Sequence, residues 1–232
     1  MKMNELTYKT KTEIAFLSLR EMIFSGELQP GKAYSVLEFA DKLNISRTPL
    51  AKAIDRLQSL GFVELTPKAG FMVRAVTFDE IEEHYYLLTE ITKFVVKRVI
   101  ERSSNEQIDS LTPLVDQINK ALDAKNEEAY FTTTKEFFLR LCEISNSSRS
   151  YKILNQAWDF EGWYTYDFNN KLDDLRKITK DHAKLIALMK KRDVSKALSQ
   201  SDAHTQACID MVRRNYEYTK LSDKSADISD AN

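Results

Sequence analysis

Asn44-Ile45-Ser46-Arg47-Thr48-Pro49-Leu50, running on through Ala51 to Leu60, is the stretch that decides how this chain is read. Ser46 suits a helix N-cap, with a hydroxyl able to accept from the amides of the first turn, and Arg47, Thr48 and Pro49 then fill the first three helical positions. Leu50, Ile54 and Leu57 recur at i, i+4 and i+7 to make one apolar face, and Gly61 stops the helix where a left-handed residue costs little. An Arg and two hydroxyls at the positive end of a helix suit contacts to phosphates and base edges. The stretch therefore predicts a helix presented end-first to DNA.

Its neighbours fit that reading. Ala15, Phe16, Leu19, Met22 and Ile23 share one side of a helix predicted over Thr12 to Ser25, ended by Gly26, and Pro30-Gly31 fixes a turn. Ser35-Val36-Leu37-Glu38 reads as a capping box that opens a short helix, Leu37 to Leu43, broken by Asn44. A short helix, a tight break and a longer helix with a basic start make a helix-turn-helix. Beyond Gly61, Phe62 to Leu65 and Phe71 to Arg74 alternate like strands around Thr66-Pro67-Lys68-Ala69-Gly70, which predicts a hairpin wing.

The 232 residues, 43% hydrophobic and 30% charged, suffice for two modest domains. Net charge is only −1, which taken alone argues against a nucleic-acid binder. Residues 1–76, however, hold 11 Lys and Arg against 8 Asp and Glu, a local +3 that leaves −4 for the rest. Gly and Pro concentrate before residue 76, so the remainder of the chain is expected to be all-helical. The absence of a run of about 18 apolar residues, and a start lacking a signal-peptide core, predict a cytoplasmic chain with no membrane partner. Cys142 and Cys208 have neither zinc-type nor redox-type spacing and read as buried free thiols.

Thr77-Phe78-Asp79-Glu80 is a second capping box, opening a long helix through Ile81, Tyr85, Leu88, Ile91, Val95 and Val99. The domain boundary is placed there, with a DNA-binding domain over 1–76, a helical domain over 77–218 and a disordered tail over 219–232. Further helices are expected from Ser104, from about Asn126 to Ile144, from Ser150 to about Asn169, from Leu172 to Lys191, and from Val194 to about Tyr218.

With these elements in place, the chain resembles the GntR family of bacterial transcription regulators, in the FadR-like subgroup whose second domain is the helical FCD module. The resemblance rests on Ile23-Phe24-Ser25-Gly26-Glu27-Leu28-Gln29-Pro30-Gly31, on Ile45-Ser46-Arg47-Thr48-Pro49-Leu50, and on Arg56-Leu57-Gln58-Ser59-Leu60-Gly61-Phe62-Val63. It implies a mainly α protein, an N-terminal winged helix-turn-helix followed by an all-α antiparallel bundle. It also implies groove contacts from Ser46, Arg47 and Thr48, with Arg47 pairing bidentately to a guanine, and wing contacts from Lys68 and Gly70. The family's run continues with Arg-Glu-Ala where this chain has Ala51-Lys52-Ala53, so one base-reading fork is replaced by Ala51 and Lys52 offers a point charge.

In the helical domain, His182 shares a stripe with Leu185, Ile186 and Met189, and His204 shares one with Ala207, Cys208 and Met211, so both imidazoles are expected inside the bundle. An interior His is as a rule a hydrogen-bonded core residue rather than a ligand. Many FCD domains bind a metal through an Asp-x3-His pair and two later histidines, and His182 and His204 match the later two. The pair itself falls on Thr134 and Phe138, which leaves His182 and His204 as residual metal candidates in a degraded site, so that no cofactor is expected. The family's first-helix Arg and Glu align with Leu88 and Thr92. The expectation is an effector pocket built from Leu88, Thr92, Thr134, Phe138, His182 and His204, suited to a less anionic or more apolar ligand. Trp158, Trp163, Tyr164, Tyr166 and Phe168 crowd one segment and would line it, pack the core or form a dimer interface.

These residues together imply a homodimeric transcription regulator, preferably a repressor, that binds a double-stranded DNA operator and responds to a small-molecule effector. The alternative is a helical enzyme or binding module that uses the His182/His204 pocket beside a vestigial DNA-binding domain. No catalytic set is legible to support an enzyme.

Overall fold

The computed structural model describes residues 10–67, 70–161 and 172–229. They fall into two compact units, Met1–Val76 and Thr77–Asn232.

The first unit opens with α1 (Lys11–Phe24), capped by the Thr10 hydroxyl, which accepts from the Glu13 amide at 3.2 Å. Its apolar side, Ala15, Phe16, Leu19 and Ile23, is buried, and Gly26 at φ 76° turns the chain away. A short strand β1 (Ala33–Ser35) leads into α2 (Val36–Lys42). Asn44, at φ 51°, takes the left-handed turn that an Asn side chain tolerates, and α3 (Arg47–Ser59) follows. Leu50, Ala53, Ile54 and Leu57 of α3 are buried, and α3 packs on α1. Each of the larger three contributes roughly 1.5–3 kcal/mol by leaving water.

Gly61, at φ 79°, carries the chain into β2 (Val63–Thr66), which pairs antiparallel with β3 (Gly70–Val73). The sheet has three strands, ordered β1-β3-β2, with Ala33 opposite Met72 and Val63 opposite Val73. β1 is an element the sequence does not announce. Three residues are too few to show alternation, and the strand exists because β3 offers it an edge. Tyr34, Phe39 and Phe71 form an aromatic triangle with ring centroids 5.6–5.7 Å apart, which fastens that edge to α2.

The second unit is helical throughout its described residues: α4 (Phe78–Arg102), α5 (Asn105–Asp109), α6 (Thr112–Asp123), α7 (Glu127–Ile144), α8 (Ser148–Glu161), α9 (Leu172–Lys190) and α10 (Val194–Ser229). The Thr77 box is reciprocal, since the Thr77 hydroxyl accepts from the Glu80 amide while the Glu80 carboxylate accepts from the Thr77 amide at 2.9 Å. α4 packs along α10, α9 packs on α6 and α10, and α7 packs on α6 and α8. Helix ends are tied by side chains: Ser103 donates to the Ile144 carbonyl at 2.9 Å and Arg192 to the Ile100 carbonyl at 2.7 Å. No helix among the described residues is long and apolar enough to cross a membrane.

Two expectations need correction. The sequence predicts a disordered tail over 219–232, but α10 runs on to Ser229. That stretch contains no Gly or Pro, so nothing terminates a helix already propagating from Val194, even without an apolar stripe. Cys142 is buried and free, with burial and the neighbouring Glu143 carboxylate pushing its thiol up to about 12, whereas Cys208 is only half-buried and edges a cavity.

Candidate DNA-reading helix and ligand cavity

α3 has two faces. Leu50, Ala53, Ile54 and Leu57 hold it to the unit's core, and Ser46, Arg47, Thr48, Ala51, Lys52 and Asp55 are exposed. Ser46 occupies the N-cap in extended conformation (φ −71°, ψ 160°), but its hydroxyl makes no capping bond. The N-cap signal assigns that hydroxyl to the helix. In the structure it and the first-turn amides are left uncapped, where an anion would meet the positive helix end. Arg56 lies past this surface, its guanidinium stacked 3.8 Å over the Phe16 ring. Asp55 was not foreseen as part of the face, although its spacing from Ala51 places it one turn further along.

Of the two wing residues, Lys68 lies outside the described residues. Gly70 is buried in β3, and a Cβ there would stand 2.6 Å from the Tyr34 carbonyl oxygen and 2.7 Å from the Thr66 hydroxyl. Its place is thus dictated by the close approach of β1, a packing role that the hairpin signal alone did not reveal.

In the helical unit, Leu88, Thr92, Thr134, Phe138, His182 and His204 all line one cavity, enclosed by α4, α7, α8, α9 and α10. It offers about 80 Å³ to the centres of water-sized molecules, several times what one water needs. Trp158 joins the lining with its ring 5.6 Å from that of Phe138, whereas Trp163, Tyr164, Tyr166 and Phe168 lie outside the described residues.

The two imidazoles face each other with centroids 5.0 Å apart. Phe137 and Phe138 pack on His182 at 4.7 and 5.5 Å, and Phe138 lies 6.0 Å from His204. Burial in this apolar nest holds His182 well below the ordinary histidine range, and the neighbouring His204 lowers it further. Burial also lowers His204, opposed by the Asp181 carboxylate, whose Oδ2 is 3.9 Å from Nδ1, and by the Ile178 carbonyl, which accepts from the ring. Among the described residues, neither ring nitrogen of His182 has a hydrogen-bond partner.

The surrounding polar groups are engaged with one another. Thr134 donates to the Tyr130 carbonyl and Thr89 to the Tyr85 carbonyl, each at 2.7 Å, and Thr89 meets Thr205 across the helices. Gln200 donates to Asp181 at 2.8 Å, and Cys208 Sγ lies 3.8 Å from His204 Nε2. Asp181, Gln200, Thr89, Thr205 and Cys208 are lining residues that sequence reasoning missed. The i, i+4 spacing of Gln200, His204 and Cys208 was a usable signal; the crossing of α4 and α10 that brings in Thr89 was not.

The family's metal donor set does not fit this cavity. Its carboxylate position is Thr134, whose proton is given to its own helix, and its third imidazole position is the ring of Phe138. Two imidazoles without those partners are too few for a divalent ion. Among the described residues, no group of three or more His, Cys, Asp or Glu could hold one.

Comparison with known proteins agrees with both halves of this description. Residues 11–73 match the model of bacterial regulatory proteins of the gntR family, and residues 83–207 match the FCD domain. The HTH-type transcriptional regulator McbR of Escherichia coli is 24% identical over 178 residues, 75% of this chain and 80% of that protein. YdhC of Bacillus subtilis, also named an HTH-type transcriptional regulator, is 22% identical over 190 residues, 80% of this chain and 84% of its own length. Among solved structures, E. coli McbR/YncC superposes with a TM-score of 0.71 at 20% identity, covering 89% of this chain and 99% of that one. Lar, described as controlling expression of the Listeria monocytogenes agr system, superposes with a TM-score of 0.63 at 18% identity, covering 92% and 99%. At such identities the structural likeness shows the fold. The chain is a transcriptional regulator of the GntR family, in the subgroup whose second domain is the effector-binding FCD domain.

Proposed function

We propose that this regulator acts as a homodimeric repressor in the cytoplasm, that it reads a palindromic operator with the outer face of α3, and that a small molecule in the FCD cavity controls its hold on DNA. The observation that carries the DNA reading is the exposed, uncapped start of α3 at Ser46-Arg47-Thr48 on a helix otherwise anchored by Leu50, Ile54 and Leu57. Arg47 pairs with a guanine, Thr48 and Ser46 take phosphate or base-edge contacts, and Lys52 adds a charge toward the backbone. A ligand that fits one arrangement of the FCD bundle better than another shifts the population of DNA-competent dimers.

In this reading the FCD cavity is metal-free and the protein is not an enzyme. The relatives are named transcriptional regulators, and the His pair lacks the donors of the family's metal site. A mobility shift on the region upstream of its own gene tests the DNA reading. The wild type should give a sequence-specific shift that Arg47→Ala removes, with no change in melting temperature because Arg47 is exposed. A shift indifferent to Arg47 would leave the outer face of α3 without its reader.

A further inference from the structure

Resting on the effector reading, we propose that the FCD cavity takes an uncharged ligand with an apolar, ring-sized body and one hydroxyl head, a phenol or a comparable alcohol, held between His182 and His204.

The argument begins with unused hydrogen-bonding capacity. His182 is 1% exposed and, among the described residues, neither of its nitrogens meets a partner; His204 beside it is engaged by the Ile178 carbonyl and has Asp181 Oδ2 3.9 Å from its Nδ1. A buried polar group without a partner is costly, and neutral imidazole carries one donor and one acceptor nitrogen. The complement of such a ring is a group that both donates and accepts. A hydroxyl does so through one oxygen, and with centroids 5.0 Å apart the two rings are near enough for one oxygen at their edge to meet both. The protons of Thr89, Thr134 and Ser201 are given to their own helices, so these hydroxyls offer none to a ligand, whereas His182 has both nitrogens uncommitted.

Charge narrows the class further. Among the described residues the lining has no Lys or Arg, and its one formal charge is the Asp181 carboxylate, which faces His204 and accepts from Gln200. A carboxylate ligand would be desolvated beside that negative charge with no cation to receive it. Burial also disfavours the cationic form of both histidines. An amine would have to compete with Gln200 and His204 for Asp181. The rest of the wall, including Leu88, Phe138, Leu154, Trp158 and Leu185, suits an apolar body.

The test is titration calorimetry on the full chain with four probes of matched size: 4-ethylphenol, 4-ethyltoluene, 4-methylbenzoate and 4-methylbenzylamine. The expected result is that 4-ethylphenol binds about tenfold tighter than 4-ethyltoluene, the scale of one net hydrogen bond, with both charged probes weaker. His182→Leu should reduce 4-ethylphenol to the level of 4-ethyltoluene, and 4-ethyltoluene should still bind at least as tightly as to the wild type, which reports an intact cavity. His204→Leu, which likewise removes a donor and an acceptor, supplies a second variant with the same expectation should His182→Leu fail to fold. The proposal is overturned if either charged probe binds as tightly as the phenol, if phenol and hydrocarbon are equal, or if no probe binds with a Kd below about 10 mM. Phenol selectivity without any effect on the operator shift would sustain this ligand class and defeat effector control instead.

Discussion

His182 and His204, on α9 and α10, stand with ring centroids 5.0 Å apart in a wall of Phe137, Phe138 and Trp158, and the Asp181 carboxylate faces His204. Two neutral imidazoles in such a place are a polar pair kept in reserve by an apolar core. Their presence sets the behaviour of the FCD domain toward protons, metals and ligands.

Toward protons, the sign is fixed by burial. His182 and His204 are lowered from 6.5, and burial takes His84 to about 4. The unfolded chain therefore takes up protons first as pH falls. Stability is undiminished above the unfolded value near 6.5 and declines below it, in the case of His84 until about pH 4, by up to ~1.4 kcal/mol per pH unit for each such group. Urea denaturation at about pH 7 and about pH 5.5, on either side of the unfolded value, should show this loss in the wild type and a smaller loss in His182→Leu. Equal losses would mean that His182 is not a buried neutral group.

Toward metals, the expectation is a missing donor set that can be restored. Protein purified without chelator or nickel resin should carry well under one equivalent of zinc by mass spectrometry. The double substitution Thr134→Asp with Phe138→His supplies the carboxylate and third imidazole on one face of α7, where i and i+4 are adjacent. That variant should bind close to one equivalent. A stoichiometric ion in the wild type would overturn the metal-free reading.

On DNA, Ala51 is exposed on the same face of α3 as Arg47, a methyl where the family carries a guanidinium. Binding-site selection should return a half-site that departs from the family's usual one at a single position, and Ala51→Arg should add a guanine preference there worth about 1–3 kcal/mol. Identical selected sites for the two proteins would show that residue 51 does not reach the bases. Lys52→Ala should instead weaken binding to all sequences and lower the salt slope by about one.

In the wing, Gly70→Ala places a methyl 2.6 Å from the Tyr34 carbonyl oxygen, backbone that cannot move without parting β1 from β3. The expected cost is about 1–3 kcal/mol in the DNA-binding unit. Calorimetry should show an earlier melting transition with ligand binding in the cavity retained. An unaltered transition would mean that β1 is not held as closely as the register implies.

The local parts of this fold were legible because their causes are local. The α3 apolar stripe, the left-handed glycines at 26 and 61 and the Thr77 capping box each require only residues within a turn or two of one another. The run of helices after Thr77 was readable for the same reason. Where the sequence misled, the cause lay elsewhere in space or in a signal that was absent. β1 needs the edge of β3, and the tail past Tyr218 lacks periodicity and so reads as unstructured, although nothing in it breaks a helix.

The sequence by itself determined the family, the two-part organisation of helix-turn-helix and helical bundle, and the identities that depart from the family at Ala51, Thr134 and Phe138. Periodicity and capping depend on near neighbours, so they survive in one dimension. Only the tertiary structure decided that Ser46 leaves its helix uncapped, that Gly70 is fixed by the Tyr34 carbonyl, and that Asp181, Gln200 and Thr205 share a wall with the two histidines. The last two arise from crossings between helices and strands far apart in the chain. Burial, which sets the charge of His182 and the unmet need of its nitrogens, exists only once those crossings are made.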